Sequence, residues 1–254
     1  MQLKNRTILI TGGTSGIGLE LAKQLHGRGN TVIVTGRDRE KLDTVGRALV
    51  GVHTIQSDVS DPDAIAALYD TVIALFPALD TLVNNAGIMR TLDLNRERDL
   101  HDVTREIEIN LSGPVRMVQQ FLPHLKTRDH ALILNVSSGL AFIPFPLSPV
   151  YSATKAAIHA FTQVLRLQLD GTGVTVIELA PPPVETPLLR GEFAAEMQGQ
   201  KGMAASVLVR RTIAGIEAGK LEIRPGLSNV LKAMSRIAPQ FMFNQMAKQA
   251  KPRR

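Results

Sequence analysis

Cysteine is absent from all 254 residues. That removes disulfides, thiolate metal sites and a cysteine nucleophile together. No apolar run approaches the roughly 18 residues a spanning helix needs. A leader is not expected, because Met1-Gln2-Leu3-Lys4-Asn5 passes straight into a strand-like run. The expected compartment is the cytoplasm. The six histidines are scattered without ligand spacing, which argues against a metal site. Acid is missing from one long stretch: residues 223–254 hold Arg224, Lys232, Arg236, Lys248, Lys251, Arg253 and Arg254 with no Asp or Glu. This tail carries +7 where the whole chain carries +6, leaving −1 for the rest. The basic balance therefore belongs to the tail. It is not a nucleic-acid signal, since aromatic interleaving and binding-module motifs are missing.

What is present fits one large α/β core, a class that reaches this length as a single domain. Hydrophobic residues at 44 % and charged residues at 20 % are those of an ordinary globular chain. Arg6-Thr7-Ile8-Leu9-Ile10-Thr11 reads as a buried strand. It runs into Gly12-Gly13-Thr14-Ser15-Gly16-Ile17-Gly18 and a helix spaced by Leu19, Leu21, Ala22 and Leu25. Strand, glycine turn and helix present backbone N–H groups and a positive helix end to a pyrophosphate. The spacing G-x-x-x-G-x-G fits the general dinucleotide fingerprint only loosely.

Further strands are expected at 31–35, 52–56, 79–83, 131–136 and 174–179, each followed by helix-forming sequence. Strand and helix alternate with no internal repeat. The predicted fold is a single-domain, doubly wound (Rossmann-like) parallel sheet of about seven strands with helices on both faces. At the end of the second strand stand Gly36-Arg37-Asp38. A guanidinium there grips a 2′-phosphate bidentately, which favours NADP(H) over NAD(H). Asp38 suits either a ribose hydroxyl or the N-cap of the helix from Arg39. Asp58, followed by Val59, ends the third strand, where it can meet an adenine ring or cap a helix. After the fourth strand, Asn84-Asn85-Ala86-Gly87 lets backbone lie close to a flat ligand while side-chain amides tie neighbouring strands. A charged stretch from Asn95 leads into a helix carrying Asn110, with Pro114 near its start or kinking it.

The fifth strand ends in Ser137-Ser138-Gly139, and Tyr151 follows after an apolar, proline-rich connector that reads as a pocket wall. Tyr151 and Lys155 share one helix face, on a helix whose stripe runs through Ile158, Phe161 and Leu165. An ammonium beside a phenol favours the phenolate. Bringing a phenol from about 10 to about 7 takes roughly 4 kcal/mol. Taken alone, such a pair is also what an ordinary amphipathic helix shows.

Taken as a set and in order, Thr11 to Gly18, Asn84 to Gly87, Asn110, Ser138, Tyr151 and Lys155 resemble the short-chain dehydrogenase/reductase family over roughly residues 4–225. By that resemblance Tyr151 is the general acid/base and Ser138 polarises a substrate carbonyl. Lys155 lowers the tyrosine pKa and holds the nicotinamide ribose, and Asn110 anchors a water in a proton relay. The resemblance places the cofactor against Gly12, Thr14, Ser15, Gly16, Ile17, Gly18, Arg37, Asp58, Val59, Asn85, Ala86 and Gly87. Tyr151, Lys155, Pro181, Val184 and Thr186 complete that set. It implies an NADP(H)-dependent interconversion of ketone or aldehyde and alcohol. Proline stands at 182 where the family usually has glycine, so the backbone there must differ. Thr11-Gly12-Gly13-Thr14 and Pro181 to Thr186 are similar to a bacterial branch labelled for D-alanine esterification of teichoic acids. Hydride chemistry makes no esters, so that label does not name a substrate.

Residues 187–205 read as a lid, with Leu188, Leu189 and Phe193 facing an apolar substrate. Ile88, Phe142, Ile143 and Phe145 could complete the pocket, or pack in the core. Residues 1–225 are expected to form the oxidoreductase body, with 226–254 a basic amphipathic extension of it. The tail packs on its own body or a partner subunit, or meets an anionic membrane surface. A homodimer or homotetramer is expected. The rival function is a non-catalytic NADP(H)-sensing binding protein on the same fold.

Overall fold

The computed structural model describes residues 1–191, 193 and 201–249. In chain order the first half runs β1 (Thr7–Thr11), α1 (Gly16–His26), β2 (Thr31–Gly36), α2 (Arg39–Ala48), β3 (His53–Gln56), α3 (Pro62–Leu75) and β4 (Leu79–Asn84). Then follow α4 (Leu100–Ile107), α5 (Gly113–Leu125), β5 (Ala131–Val136), α6 (Pro149–Gln168) and β6 (Val174–Leu179). The last part is β7 (Val184–Glu185), α7 (Pro187–Arg190), β8 (Met203–Ala204), α8 (Ala205–Glu217), β9 (Glu222–Ile223), α9 (Leu227–Ile237) and α10 (Pro239–Gln249).

The main sheet has the order β3-β2-β1-β4-β5-β6-β9, and every pairing in it is parallel. Parallel strands need helical crossovers, so both faces of the sheet are covered and its central strands are largely apolar. The chain winds outward from β1 to β3 and returns beside β1 at β4, and that reversal opens a crevice at the carboxyl ends of β1 and β4.

Side-chain alternation sorts the core into two layers. Ile8, Ile10, Val32, Val34, Leu132 and Leu134 pack with Leu21 and Leu25 of α1 and Leu208 and Ile213 of α8. Leu9, Ile33, Leu82, Ile133 and Val176 face α3, α5 and α6 instead. The register sets these five side by side across the sheet, Ile33 to Leu9 to Leu82 to Ile133 to Val176. Each such side chain contributes roughly 1.5–3 kcal/mol by leaving water.

Helix starts follow from short acidic caps. Asp38 accepts from the Lys41 N–H and caps α2, and Asp61 accepts from Asp63 and Ala64 and caps α3 ahead of Pro62. Between α4 and α5 the helix is not α. Glu108–Ser112 forms a π turn, closed by the Gly113 N–H on the Glu108 carbonyl. Pro114 accounts for it: proline has no N–H to give the Asn110 carbonyl, and its ring would strike that carbonyl in a tight α turn.

Pro239 separates α9 from α10. Lys232 and Arg224 both pair with Glu222, which joins α9 to the edge strand β9. Among the described residues no helix is long and apolar enough to cross a membrane. Of the lid stretch 187–205, residue 192 and residues 194–200 lie outside the described residues, as do Lys251, Arg253 and Arg254 of the tail.

Phe121 is wholly buried under the sheet, with its ring 5.2 Å from that of Tyr69. Phe121→Ala is expected to cost about 3–5 kcal/mol, read as a lower urea midpoint at unchanged slope.

Candidate active site

The crevice is held at its floor by Thr11. Its hydroxyl donates to the Val83 carbonyl at 3.3 Å and accepts the N–H groups of Asn85 and Ala86, each at 3.1 Å. Asn85 answers by donating its amide to the carbonyls of Thr11 (2.9 Å) and Gly12 (3.1 Å). The turn after β1 and the turn after β4 are thereby clasped. Gly12 has φ +66°, and a Cβ on it would stand 2.8 Å from the Ala86 Cα. At Gly18 a Cβ would come within 2.3 Å of the Gly12 carbonyl oxygen, so α1 can approach its own turn only with glycine there. Ser15, the N-cap of α1, makes no side-chain cap, which leaves the first N–H groups of the helix for an anion.

Along the sheet, Asn84 donates to Asn135 at 2.9 Å and Asn135 to Thr162 at 3.0 Å, all buried. This chain of amides fixes β4, β5 and α6 relative to one another. Ser138, just past β5, accepts the Leu140 N–H at 3.1 Å, which turns the chain into a short 3-10 helix over Gly139–Ala141.

Tyr151 and Lys155 stand one turn apart on α6, both buried. The Lys155 ammonium lies 5.6 Å from the Tyr151 ring centroid and donates to the Val136 carbonyl at 2.9 Å. Burial dominates both titrations: it pushes the phenol up to about 12 and pulls the ammonium down to about 8. The Ser138 side chain opposes the rise at Tyr151, and the charge of Glu106 adds to it. Within the protein itself burial sets the direction of the phenol, and the expected lowering rests on the ammonium together with a bound cofactor's positive charge. Loss of water outweighs one ammonium that is bonded elsewhere.

Asn110 sits in the π turn and is locked to one residue. Its amide donates to the Ile88 carbonyl at 2.8 Å, and its oxygen accepts the Ile88 N–H at 2.9 Å. The same amide reaches Thr154 at 3.3 Å, tying the segment after β4 to α6. Gly87 keeps this approach open, since a Cβ there would stand 3.2 Å from the Asn110 oxygen and 3.7 Å from Lys155 Nζ.

A cavity of about 520 Å³ fills the crevice. Thr14, Ser15, Gly16, Ile17, Arg37, Asp58, Val59, Asn85, Ala86 and Gly87 line it, with Gly12, Pro181, Val184 and Thr186. Ser138, Tyr151 and Lys155 reach it as well, as do Ile88, Phe145, Leu188, Leu189 and Phe193. Gly18 and Asn110 do not line it and act from behind. Asp58 caps no helix; its carboxylate holds the Ser60 N–H and hydroxyl, at 2.9 and 2.7 Å. Pro182 lines the cavity between Pro181, whose carbonyl takes the Gly139 N–H, and Pro183, whose carbonyl takes the Met203 N–H. The two backbone bonds on either side of Pro182 come from carbonyls, which proline retains.

Phe142 and Ile143 are corrections. Phe142 leaves the cavity to stack edge-on with His159 at 5.1 Å and under Lys232 at 5.4 Å, and Ile143 is buried in the body. In their place the tail supplies Leu227, Leu231, Met242, Gln245 and Met246. Their helical spacing was readable, but not which face turns inward. His159 is also gathered with Glu178 and Glu222, their ligand atoms within 4.8 Å. Glu178 is already held by His159 at 2.7 Å and by Ser137, and Glu222 by Arg224 and Lys232. The cluster serves as a charge-balanced brace.

The profile of the short chain dehydrogenase family matches residues 6–197. The uncharacterized oxidoreductase DltE of Bacillus subtilis (strain 168) is 41 % identical over 97 % of this chain and 98 % of its own. Sulfoacetaldehyde reductase 2 of Chromohalobacter salexigens is 37 % identical over 81 % of each chain. The crystal structure of a short chain dehydrogenase from Burkholderia cenocepacia J2315 in complex with NADP superposes with a TM-score of 0.83. It has 26 % identity and covers 99 % of this chain and 100 % of that one. The chain belongs to the short chain dehydrogenase family, whose members named here are oxidoreductases.

Burying Lys155 has a measurable cost. Its pKa falls from 10.5 to about 8 on folding, so between those values the unfolded chain binds more protons. Stability therefore rises with pH through that window and is lowest below it. Lys155→Met removes this dependence. The stability difference between variant and wild type is expected to shrink by about 3 kcal/mol from pH 7 to pH 10.5, checked by urea unfolding at both.

Proposed function

We propose that this protein is an NADP(H)-dependent oxidoreductase that interconverts a carbonyl and an alcohol on an apolar substrate. The observation that carries this reading is the convergence of Tyr151, Ser138 and Lys155 on the wall of one cavity. The residues suit a nicotinamide dinucleotide: the positive-φ turn at Gly12, the uncapped start of α1 and the flat floor at Asn85 to Gly87 form a cradle that a Cβ would fill. Arg37 lines the cavity at the end of β2, whereas the Asp38 carboxylate is spent on capping α2. That favours a 2′-phosphate over a free ribose hydroxyl, in keeping with the NADP bound to the Burkholderia cenocepacia relative.

The bound cofactor supplies or accepts the hydride. During reduction, charge gathers on the carbonyl oxygen, where Ser138 donates a hydrogen bond and Tyr151 delivers the proton. A phenol near 12 is fully protonated at neutral pH, so the protein by itself holds the acid in its donating form. Lys155 stabilises the phenolate left behind and offers an ammonium to the ribose. Asn110 keeps the Ile88 backbone in place beside them. Exposed Val164 and Leu167 on α6 and Val115 on α5 support assembly into a homodimer or homotetramer, acting in the cytoplasm.

Tyr151→Phe is expected to lower kcat by about 10²–10⁴-fold while NADPH still binds, followed by loss of reduced-cofactor absorbance across a carbonyl panel. Retained turnover would remove Tyr151 from its role. Arg37→Ala is expected to reduce the preference for NADPH over NADH by about 10- to 100-fold, from the roughly 1.5–3 kcal/mol of a charge-assisted contact. Binding titrations with both cofactors read this directly, and an unchanged ratio would clear Arg37.

A further inference from the structure

The cavity is divided by charge. Among the described residues its charged lining consists of Arg37, Asp58 and Lys155. Arg37 and Asp58 follow β2 and β3 at the cofactor end, and Lys155 is held on the Val136 carbonyl. Away from these charges the wall carries an apolar group: Phe145 and Phe193 stand 6.3 Å apart, and Leu188 and Leu231 line the same cavity.

The tail reaches this apolar half. A Cβ on Gly139, the residue after Ser138, would lie 3.1 Å from a Leu231 methyl, so α9 rests against the turn that carries the serine. Beyond it, α10 turns Met242, Gln245 and Met246 into the cavity and leaves Phe241 and Phe243 outside. Two unbranched thioethers adapt to a flexible chain, and Gln245 gives one neutral hydrogen-bonding group. Among the described residues, the apolar half of the cavity offers a sulfonate or carboxylate no cation to offset its lost water.

We propose that α10 is the far wall of the substrate site, where Met242, Gln245 and Met246 select uncharged carbonyl compounds bearing a long apolar chain over small anionic aldehydes. This rests on the carbonyl reading above, and it separates the protein from its relative named for sulfoacetaldehyde. With NADPH, kcat/KM for straight-chain aldehydes is expected to climb about fourfold per methylene from butanal to decanal. Sulfoacetaldehyde and succinic semialdehyde should remain about 100-fold or more below decanal. Met246→Trp should lower the decanal-to-butanal ratio at least about tenfold by filling the far end. A flat chain-length series, a preference for either anionic aldehyde, or an unmoved ratio would overturn the proposal.

A second measurement needs no turnover. In protein labelled at the methionine methyls, with NADP⁺ present, 2-decanone is expected to shift the NMR signals of Met242 and Met246. Unmoved signals at ligand saturation, or no binding up to the solubility limit, would overturn the role of α10. Silence across the whole aldehyde panel alongside shifted methyls would instead defeat the activity reading and leave the wall in place.

Discussion

Removing water from the Tyr151–Lys155 pair sets the terms on which everything else at this site operates. Both groups are buried, and burial drives their pKa values past each other and apart, the phenol up and the ammonium down. In water these groups are separated by less than one unit; here the order is reversed and widened. The protein thus stores a neutral phenol, a fully competent acid, beside a cation that costs stability to keep. Only something that adds positive charge or fresh hydrogen bonds next to the phenol lowers it again.

That desolvated pair would be useless without a rigid floor, and the floor is built from side chains bonding backbone. Thr11 and Asn85 exchange bonds between the turns after β1 and β4, and Asn110 does the same for Ile88 behind them. Buried polar groups of this kind are tolerated because nearly every donor finds an acceptor. Glycine at 12 and 18 is the steric counterpart: each lets one backbone or amide approach another closer than any side chain permits. Stiffness at the turn and closeness at the ligand are the same requirement seen from two sides.

How much of this the sequence discloses depends on the range of the interaction responsible. Strands buried on both faces show as β-branched runs, so β5 and β6 match their expected limits residue for residue. The caps at Asp38 and Asp61 are local hydrogen bonds, and Asp38 is the one of its two readings that the fold selects. Pro114 announced a disturbance without saying which; the π turn arises from a clash four residues upstream that composition does not display. Phe142 failed for a different reason. It lies in the apolar connector with Phe145, but the short turn begun by Ser138 rotates it toward His159. At Tyr151, spacing reveals the neighbouring charge but not the burial that opposes it.

The tail shows the same limit most fully. Its basic charge and apolar spacing are visible in the sequence, yet the feature that gives them meaning is Glu222 on the edge strand. That carboxylate gathers Arg224 and Lys232, while Glu178, its partner across β6 and β9, is hydrogen-bonded by His159 and Ser137. Two acids side by side on adjacent strands would repel; each is instead matched to its own donors. The tail's charge is thus partly consumed inside the body, where it fastens α9 next to the serine turn. A helix fastened there has little choice but to run past the mouth of the crevice, so the edge-strand acid also determines where α10 can lie. The apolar end of the cavity is, in this sense, a consequence of an ion pair made outside it.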